Sequence, residues 1–336
     1  MAVQLRKVRE QTLIITGASS GIGLATARLA GRRGARVVMV ARGEDALRRA
    51  AVKVREDGGT AIIVPGDVAR PEDMVRVADE ARREFGGFDT WVNSAAVALY
   101  GRLDEIPLED KRKLFDINFW GTVHGCRAAL AELRRRGGTI INIGSMLSDL
   151  SIPLQGIYAA SKHAIKAYTT ALRMELEKEG APVSVTLVKP GATDTPYYEH
   201  ARNYMEHAPT PPPPVYAPEA VARAILACAE HPTREIVVGG AARALLAGAG
   251  LAPALSERIM ERTLFDAQQS DRPARRYDDN LYEPADPTAR ERGRYPGPVL
   301  EHSLYTAAAI HPGRTALAAA GIGLAVAAGI RAIRSR

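Results

Sequence analysis

Short apolar runs recur along the first 240 residues of the chain, and longer amphipathic stretches separate them. The runs lack the apolar–polar alternation of a strand with one solvated face, so they indicate strands that are buried on both faces. In the stretches between them, apolar residues recur at helical spacing. The predicted strands are residues 12–16, 37–40, 61–64, 90–93, 139–143, 183–189 and 235–238. The predicted helices are residues 24–33, 46–55, 72–85, 108–136 (with room for a break), 158–178 and 219–230.

This alternation of strands and helices predicts the fold class. Buried strands that are each followed by a helix form a parallel sheet covered on both faces. We therefore expect an α/β protein with a doubly wound (Rossmann) seven-stranded parallel sheet. Ligands of such folds bind at the carboxyl ends of the strands, so the functional residues should follow the strands directly.

The alternation ends near residue 240, which predicts a domain of residues 1–240 and a C-terminal extension of residues 241–336. In the extension we expect a helical stretch over residues 241–268 and an irregular, Pro- and Arg-rich strap over 269–298. Residues 209–218, "PTPPPPVYAP", predict a stiff polyproline-like spacer between two helices, and a ligand for an SH3-type domain is the alternative.

An apolar Ala/Gly-rich helix is predicted over residues 315–333. Gly321, Ala325 and Gly329 give it a face of small residues suited to close helix packing. Its uncharged part covers only about 24 Å, less than the roughly 30 Å hydrocarbon core of a bilayer. We hypothesise that it docks at a membrane surface or on a second subunit. A helix packed on its own domain is an equal alternative, and a spanning anchor is a weaker one.

Composition narrows the functional classes. Hydrophobic residues make up 46% of the chain and charged residues 25%, which is typical of a globular protein rather than a disordered one. The net charge is +7, but the basic residues are scattered, which argues against a nucleic-acid partner and is compatible with an anionic cofactor.

Cys126 and Cys228 fit no metal motif and no disulfide framework, so we expect buried thiols, no metal and a cytoplasmic setting. The N-terminus lacks the pattern of a signal peptide.

A glycine-rich loop follows the first predicted strand. Gly17 permits a tight turn, Gly21 lets backbone approach a phosphate, and Gly23 lets the helix pack closely on the strand. The helix N-terminus would then present its free N–H groups to a pyrophosphate. A plain glycine-rich turn is the alternative. The predicted dinucleotide-binding residues of this loop are Gly17, Ser19, Ser20, Gly21, Ile22 and Gly23.

The end of the second strand bears on the choice between NAD and NADP. A fold that prefers NAD places a carboxylate there for the ribose hydroxyls, but this strand ends Val40-Ala41-Arg42. A guanidinium suits a 2′-phosphate, so Arg42 predicts NADP(H) rather than NAD. The alternative is a solvent-facing arginine.

A tyrosine and a lysine stand four residues apart, at Tyr158 and Lys162, and therefore share one helix face. An ammonium group near a phenol favours the phenolate and should lower the tyrosine pKa by about 1–3 units, which gives an acid/base near neutral pH. Ser145 directly follows the fifth strand, where its hydroxyl can hydrogen-bond a substrate carbonyl.

Over roughly residues 10–240 the sequence resembles the short-chain dehydrogenase/reductase family. The 16–23 loop, the spacing of Ser145, Tyr158 and Lys162, and Pro190-Gly191 after the sixth strand carry this resemblance. It implies that Asn118 completes a catalytic tetrad with those three residues. It also implies cofactor contacts for Asp67, Val68, Asn93, Tyr158, Lys162, Pro190, Gly191, Thr193 and Thr195. The chain departs from the family pattern Asn-Asn-Ala-Gly at Ser94 and Ala96, and a positive φ would strain Ala96.

The resemblance implies hydride transfer between NADP(H) and a carbonyl or alcohol of a small molecule, in a homo-oligomer. Ser145 would polarise the carbonyl, Tyr158 would donate the proton, Lys162 would hold the nicotinamide ribose and depress the Tyr158 pKa, and Asn118 would hold a water. Tyr197, Tyr198, Tyr204 and Met205, after the sixth strand, indicate a lipophilic substrate or serve only for packing, whereas His200 and His207 read as surface residues. A non-catalytic NADP(H)-binding sensor is the alternative function.

Overall fold

A computed structural model describes residues 3–274, 279–284, 288–310 and Thr315. Its centre is a seven-stranded parallel sheet with the strand order β3-β2-β1-β4-β5-β6-β7, which confirms the predicted doubly wound fold. The order reverses beside β1, so the carboxyl ends of β1 and β4 open onto the crevice where such folds bind ligands. The strands are β1 Thr12–Thr16, β2 Arg36–Ala41, β3 Thr60–Pro65, β4 Thr90–Asn93, β5 Gly138–Ile143, β6 Val183–Pro190 and β7 Glu235–Val238.

Helices cover both faces of the sheet because its central strands are apolar on both sides. Every residue of β1, β5 and β6 is buried. One core contains residues of α3 and α5 around Trp91, and the other contains residues of α1, α2 and α7 around Ile15. The helices of this part are α1 Gly21–Arg32, α2 Glu44–Glu56, α3 Pro71–Phe85, α4 Leu108–Phe115, α5 Gly121–Arg136, α6 Gly156–Glu179 and α7 Pro218–Glu230.

The helical stretch predicted over residues 108–136 contains a π-helical turn at Asp116–Trp120, between α4 and α5. Such wide turns occur frequently at functional sites, since they redirect side chains within a continuous helix. Asn118 lies in this turn.

The extension begins with two helices, α8 Gly240–Leu251 and α9 Pro253–Ala267, which divide the predicted helical stretch at Pro253. A short helix α10, Leu304–Ile310, lies near the end of the described residues. The predicted irregular strap is wrong in part. Within it, Gln269–Pro273 pairs antiparallel with His207–Pro209, and directly after it Val299–Leu300 pairs with Val215–Tyr216. The predicted helix over 315–333 lies outside the described residues apart from Thr315.

Within the described part of the chain, no helix is long and apolar enough to cross a membrane. The same residues contain no cluster of His, Cys, Asp or Glu that could hold a metal ion. Both cysteines are free and buried, and burial raises the pKa of each thiol to about 12.

Candidate active site

The glycine loop between β1 and α1 has the backbone geometry of a phosphate-binding turn. Gly17 and Gly21 have φ values of +69° and +53°, a region that favours glycine. A Cβ on Gly23 would lie 2.2 Å from the Gly17 carbonyl oxygen, so the third glycine permits the close approach of helix and loop. A Cβ on Gly21 would lie 3.3 Å from the Cβ of Thr195, which places the segment after β6 directly beside the loop.

One cavity of about 360 Å³ opens at the carboxyl edge of the sheet. Both predicted groups of residues, the glycine loop and the catalytic hydroxyls, line its wall. The predicted site residues that line it are Gly17, Ser19, Ser20, Gly21, Ile22, Gly23, Arg42, Asp67, Val68, Ser145, Tyr158, Lys162, Pro190, Gly191, Thr193 and Thr195.

Ser145 is held by the start of a short helix. Its hydroxyl accepts a hydrogen bond from the Leu147 backbone N–H at 3.1 Å, and the Ser148 hydroxyl accepts one from the Ser145 N–H at 3.1 Å. This reciprocal cap fixes the Ser145 side chain at the end of β5, with its hydroxyl within hydrogen-bonding reach of the Tyr158 phenol.

Tyr158 and Lys162 lie on one face of α6, as predicted, and both side chains are buried. The Lys162 Nζ lies 5.5 Å from the centre of the Tyr158 ring and donates to the Ile143 carbonyl at 2.8 Å. The predicted pKa shift is wrong for the protein without a cofactor. Burial raises the pKa of Tyr158 to about 12, against the opposing effect of the Tyr197 and Ser145 hydroxyls. Burial also lowers the pKa of Lys162 to about 7, so its charge is only partial near neutral pH.

Asn118 does not line the cavity. Its side chain accepts from the Val97 N–H at 2.8 Å and donates to the Val97 carbonyl at 3.1 Å, and it also approaches the Ser161 hydroxyl at 3.3 Å. These bonds tie the π-helical turn to the segment after β4 and to α6. Its position therefore supports the loop that carries Val97, a cavity-lining residue.

Asn93 does not line the cavity, and its predicted contact with the cofactor stays a prediction. It is the last residue of β4, and its side chain points toward α5 on the same face as Trp91, because strand residues two apart share a face. The Trp91 indole N–H donates to Asn93, and the Asn93 amide donates to Asn142, both at 2.8 Å. Ser94 and Ala95, the next residues, line the cavity instead.

Arg42 is half-buried and lines the cavity, so it is not the solvent-facing arginine of the alternative interpretation, and its contact with a 2′-phosphate stays a prediction. Its Nη1 donates to the carbonyls of Tyr282 at 3.0 Å and Leu281 at 3.4 Å, and its Nη2 donates to the carbonyl of Asn280. All three acceptors belong to the extension, which sequence reasoning did not connect with this strand end.

Several lining residues were not predicted. His200 was read as a surface residue, and residues 212–214 as part of a spacer, yet all of them line the cavity. Tyr197 and Tyr198 also line it, whereas Tyr204 hydrogen-bonds Asp110 and Met205 packs elsewhere. Further unpredicted wall comes from the segment between β5 and α6 and from the extension: Ile152, Gln155, Ala241, Ala242, Leu245, Leu264, Asn280 and Pro284.

A family model described as "short chain dehydrogenase" matches residues 11–206, more than half of the chain. The chain belongs to the short-chain dehydrogenase family. It is an oxidoreductase that acts on CH–OH or C=O groups, and its fold binds a nicotinamide dinucleotide.

Relatives of this short-chain dehydrogenase fall into two groups by coverage. A Bacillus subtilis protein, "Uncharacterized oxidoreductase YxnA", is 43% identical over 95% of this chain and 91% of its own length. The "11-beta-hydroxysteroid dehydrogenase-like 3" of Arabidopsis thaliana is 37% identical over 57% of this chain and 62% of its own length. The "3beta-hydroxysteroid dehydrogenase 1" of Eggerthella lenta is 34% identical over 56% of this chain and 73% of its own length.

Solved structures of the family resemble the described fold. A short chain dehydrogenase/reductase from Burkholderia phymatum, in complex with NAD, has a TM-score of 0.66 and 26% identity, over 76% of this chain and 97% of its own. An alcohol dehydrogenase from Thermococcus sibiricus, complexed with 5-hydroxy-NADP, has a TM-score of 0.60 and 26% identity, over 68% of this chain and 95% of its own.

The departure from the family pattern at Ala96 causes no backbone strain in this short-chain dehydrogenase. Among the described residues, the only ones other than glycine with positive φ are Leu154 and Ala289. Ala96 lines the cavity in an ordinary conformation, so its methyl group becomes part of the wall.

Proposed function

We propose that this chain is an NADP(H)-dependent oxidoreductase for a lipophilic alcohol or ketone of hydroxysteroid type. The observation that carries the proposal is the meeting of three groups at one wall of the cavity. The Ser145 hydroxyl, the Tyr158 phenol and the Lys162 amine line it together, and both α6 side chains are buried away from bulk water.

The residues around the glycine loop fit a dinucleotide. Side chains at Gly17 and Gly23 would collide with the backbone of Ala95 and of Gly17, so glycine keeps this loop tight, and the first turn of α1 borders the cavity. Residues of the loop would hold the pyrophosphate, Asp67 and Val68 the adenine, and Arg42 a 2′-phosphate. When bound, the nicotinamide supplies or accepts a hydride.

The chain's own residues handle the proton. Because burial raises the Tyr158 pKa to about 12, Tyr158 remains a phenol at neutral pH and can donate a proton to a carbonyl oxygen during reduction. Ser145 donates a hydrogen bond to the same oxygen and orients it. Lys162, once protonated beside the nascent phenolate, stabilises that charge, and its bond to the Ile143 carbonyl fixes its position.

The substrate end of the cavity supports a lipophilic class. Tyr197 and Tyr198 contribute aromatic rings, with the Tyr197 ring 5.6 Å from that of Tyr158. Leu147, Ile152, Leu245 and Leu264 add aliphatic wall. Relatives that are 33–39% identical over the core are named hydroxysteroid dehydrogenases, which supports a rigid polycyclic alcohol or ketone.

The test is a panel of hydroxysteroids and ketosteroids, with short aliphatic ketones and aldehydes as controls. We expect NADPH consumption with at least one ketosteroid and at least tenfold lower kcat/KM with NADH. Short ketones should react poorly, because they leave the apolar wall unfilled. Turnover restricted to small polar carbonyls would overturn the substrate class, and equal rates with both cofactors would overturn the NADP assignment.

A further inference from the structure

The extension meets the cofactor site through one segment, residues 279–284, which we call the clip. The family match ends at residue 206, and the Arabidopsis relative aligns with only 57% of the chain. The Bacillus subtilis relative aligns with 95% of it and therefore shares most of the extension. Contacts made by the clip are thus additions to the family's core.

The clip hydrogen-bonds the guanidinium of Arg42. Three successive carbonyls, those of Asn280, Leu281 and Tyr282, accept hydrogen bonds from its two terminal nitrogens. No described residue accepts a bond from Nε of Arg42. Since a guanidinium carries five N–H donors, the three bonds to the clip leave its Nε–H and one further N–H for another acceptor.

The clip is also held to the core by an ion pair and by hydrogen bonds. Asp279 pairs with Arg202 at 3.0 Å, and the Tyr282 hydroxyl donates to the buried Asp110 at 2.7 Å. The Asn280 N–H donates to the His200 carbonyl at 3.0 Å, and the Leu281 side chain is fully buried. These contacts join the clip to α4 and to the segment after β6.

The clip also closes the wall beside Arg42. Asn280 and Pro284 line the cavity together with Ala41, Arg42 and Gly43. A Cβ on Gly43 would lie 3.2 Å from the Pro284 Cβ, so the clip packs directly against the turn after β2. This turn is where a dinucleotide fold reads the 2′ position of the adenosine ribose.

We propose that the clip is the positioning segment of a 2′-phosphate site, and that it sets the preference for NADP over NAD by fixing Arg42. The carbonyls hold the two terminal nitrogens of the guanidinium, and its remaining N–H donors would then bond the phosphate. A side chain fixed beforehand loses less conformational freedom on binding than a free arginine would. This inference rests on the proposed NADP dependence.

The test measures the dissociation constants of NADPH and NADH by fluorescence titration, without any substrate. The variant Asp279→Ala/Tyr282→Phe removes both side-chain fastenings and leaves Arg42 in place. We expect NADPH binding to weaken about tenfold and NADH binding to change less than twofold, because only NADPH carries the phosphate. If the double variant folds poorly, Tyr282→Phe alone replaces it, because it removes only one hydroxyl. This single variant should shift the ratio of the NADPH and NADH dissociation constants in the same direction.

Glu291→Gln is the matched control. Glu291 lies in the same extension but pairs with Arg28 of α1, away from Arg42. Its loss should change the binding of both cofactors equally. In an Arg42→Ala background, the clip variant should cause no further change in the ratio, because the two act through one contact.

An unchanged ratio in a folded clip variant would overturn the inference, and so would tighter NADPH binding, which would make the clip a competitor of the phosphate. If Arg42→Ala abolishes the NADPH preference while the clip variant keeps it, only the clip fails. If the wild-type protein binds both cofactors equally, the NADP assignment and the clip fail together.

Discussion

The carboxyl edge of the sheet and the C-terminal extension line the same cavity, but they contribute different kinds of group. The sheet edge contributes the hydroxyl of Ser145, the phenol of Tyr158 and the amine of Lys162. The extension contributes aliphatic side chains, such as Leu245 and Leu264, and the backbone carbonyls of the clip. Under the proposed function, reactive chemistry and selectivity are divided between these two parts of the chain.

The two regions also differ in how they are held. The reactive groups are fixed by backbone bonds inside the core, as with Lys162 on the Ile143 carbonyl. The hairpin of α8 and α9 is largely exposed, and Leu251 and Leu255 retain 88% and 59% of their accessible surface. A rigid core can hold reacting atoms in place, while a more peripheral wall can change without disturbing them.

The largest expected effect comes from the core. Tyr158→Phe removes the proton donor but keeps the ring, so turnover should fall at least about a thousandfold. The dissociation constant of NADPH should change less than about threefold, because the aromatic ring, Lys162 and the glycine loop are all kept. Steady-state rates and fluorescence titration measure the two quantities. Ser145→Ala removes only an orienting hydrogen bond and should lower kcat by a smaller factor.

Tyr168→Phe serves as the control for this variant. Tyr168 lies on the same helix, ten residues later, and does not line the cavity. It should retain the wild-type rate. A Tyr158→Phe enzyme with wild-type turnover would show that another group donates the proton.

The fold of the core could be predicted because its signals are local. The pattern of apolar residues within each buried strand and each amphipathic helix is enough to predict that element. The observed bounds of β1 and β4 equal the predicted ones. The glycine loop and the Tyr158–Lys162 pair were equally legible, since each depends on spacing within one element. The motif around Asn93 fixes its place in the chain but not which face of β4 its side chain takes.

The extension could not be predicted in the same way, because its structure depends on partners far away in the sequence. Gln269–Pro273 becomes a strand only by pairing with His207–Pro209, about sixty residues earlier. The carbonyls that hold Arg42 lie about 240 residues after it and carry no side-chain signal at all. The shifted pKa of Tyr158 has a similar origin, since the burial that raises it comes from the whole wall of the cavity.

A second prediction tests whether burial of the Lys162 amine lowers the free energy of unfolding. Burial lowers the pKa of Lys162 to about 7 from an ordinary 10.5. The unfolded chain therefore binds more protons than the folded one between these values, so this lysine makes the free energy of unfolding rise with pH. Lys162→Met should be more stable than wild type at pH 7, by a margin that shrinks by roughly 1.4 kcal/mol per pH unit as pH rises toward 10.5.

Urea unfolding of both proteins without cofactor, at pH 7 and pH 9, measures this margin. Lys178→Met is the control, because Lys178 is exposed near the end of the same helix and should give a margin that does not depend on pH. A pH-independent margin for Lys162→Met would mean that the buried amine keeps its ordinary pKa.

The smallest expected effect comes from the extension's wall. Leu264 of α9 is half-buried and lines the cavity, so Leu264→Ala removes part of the apolar surface available to a lipophilic substrate. Partial loss of a leucine contact should raise KM about three- to tenfold. The value of kcat and the dissociation constant of NADPH should stay within about twofold, because neither Tyr158 nor the glycine loop is touched. Leu255→Ala, on the exposed side of the same helix, should leave all three values unchanged. A fall in kcat with unchanged KM for Leu264→Ala would place the extension in the reacting geometry and remove the division between the two regions.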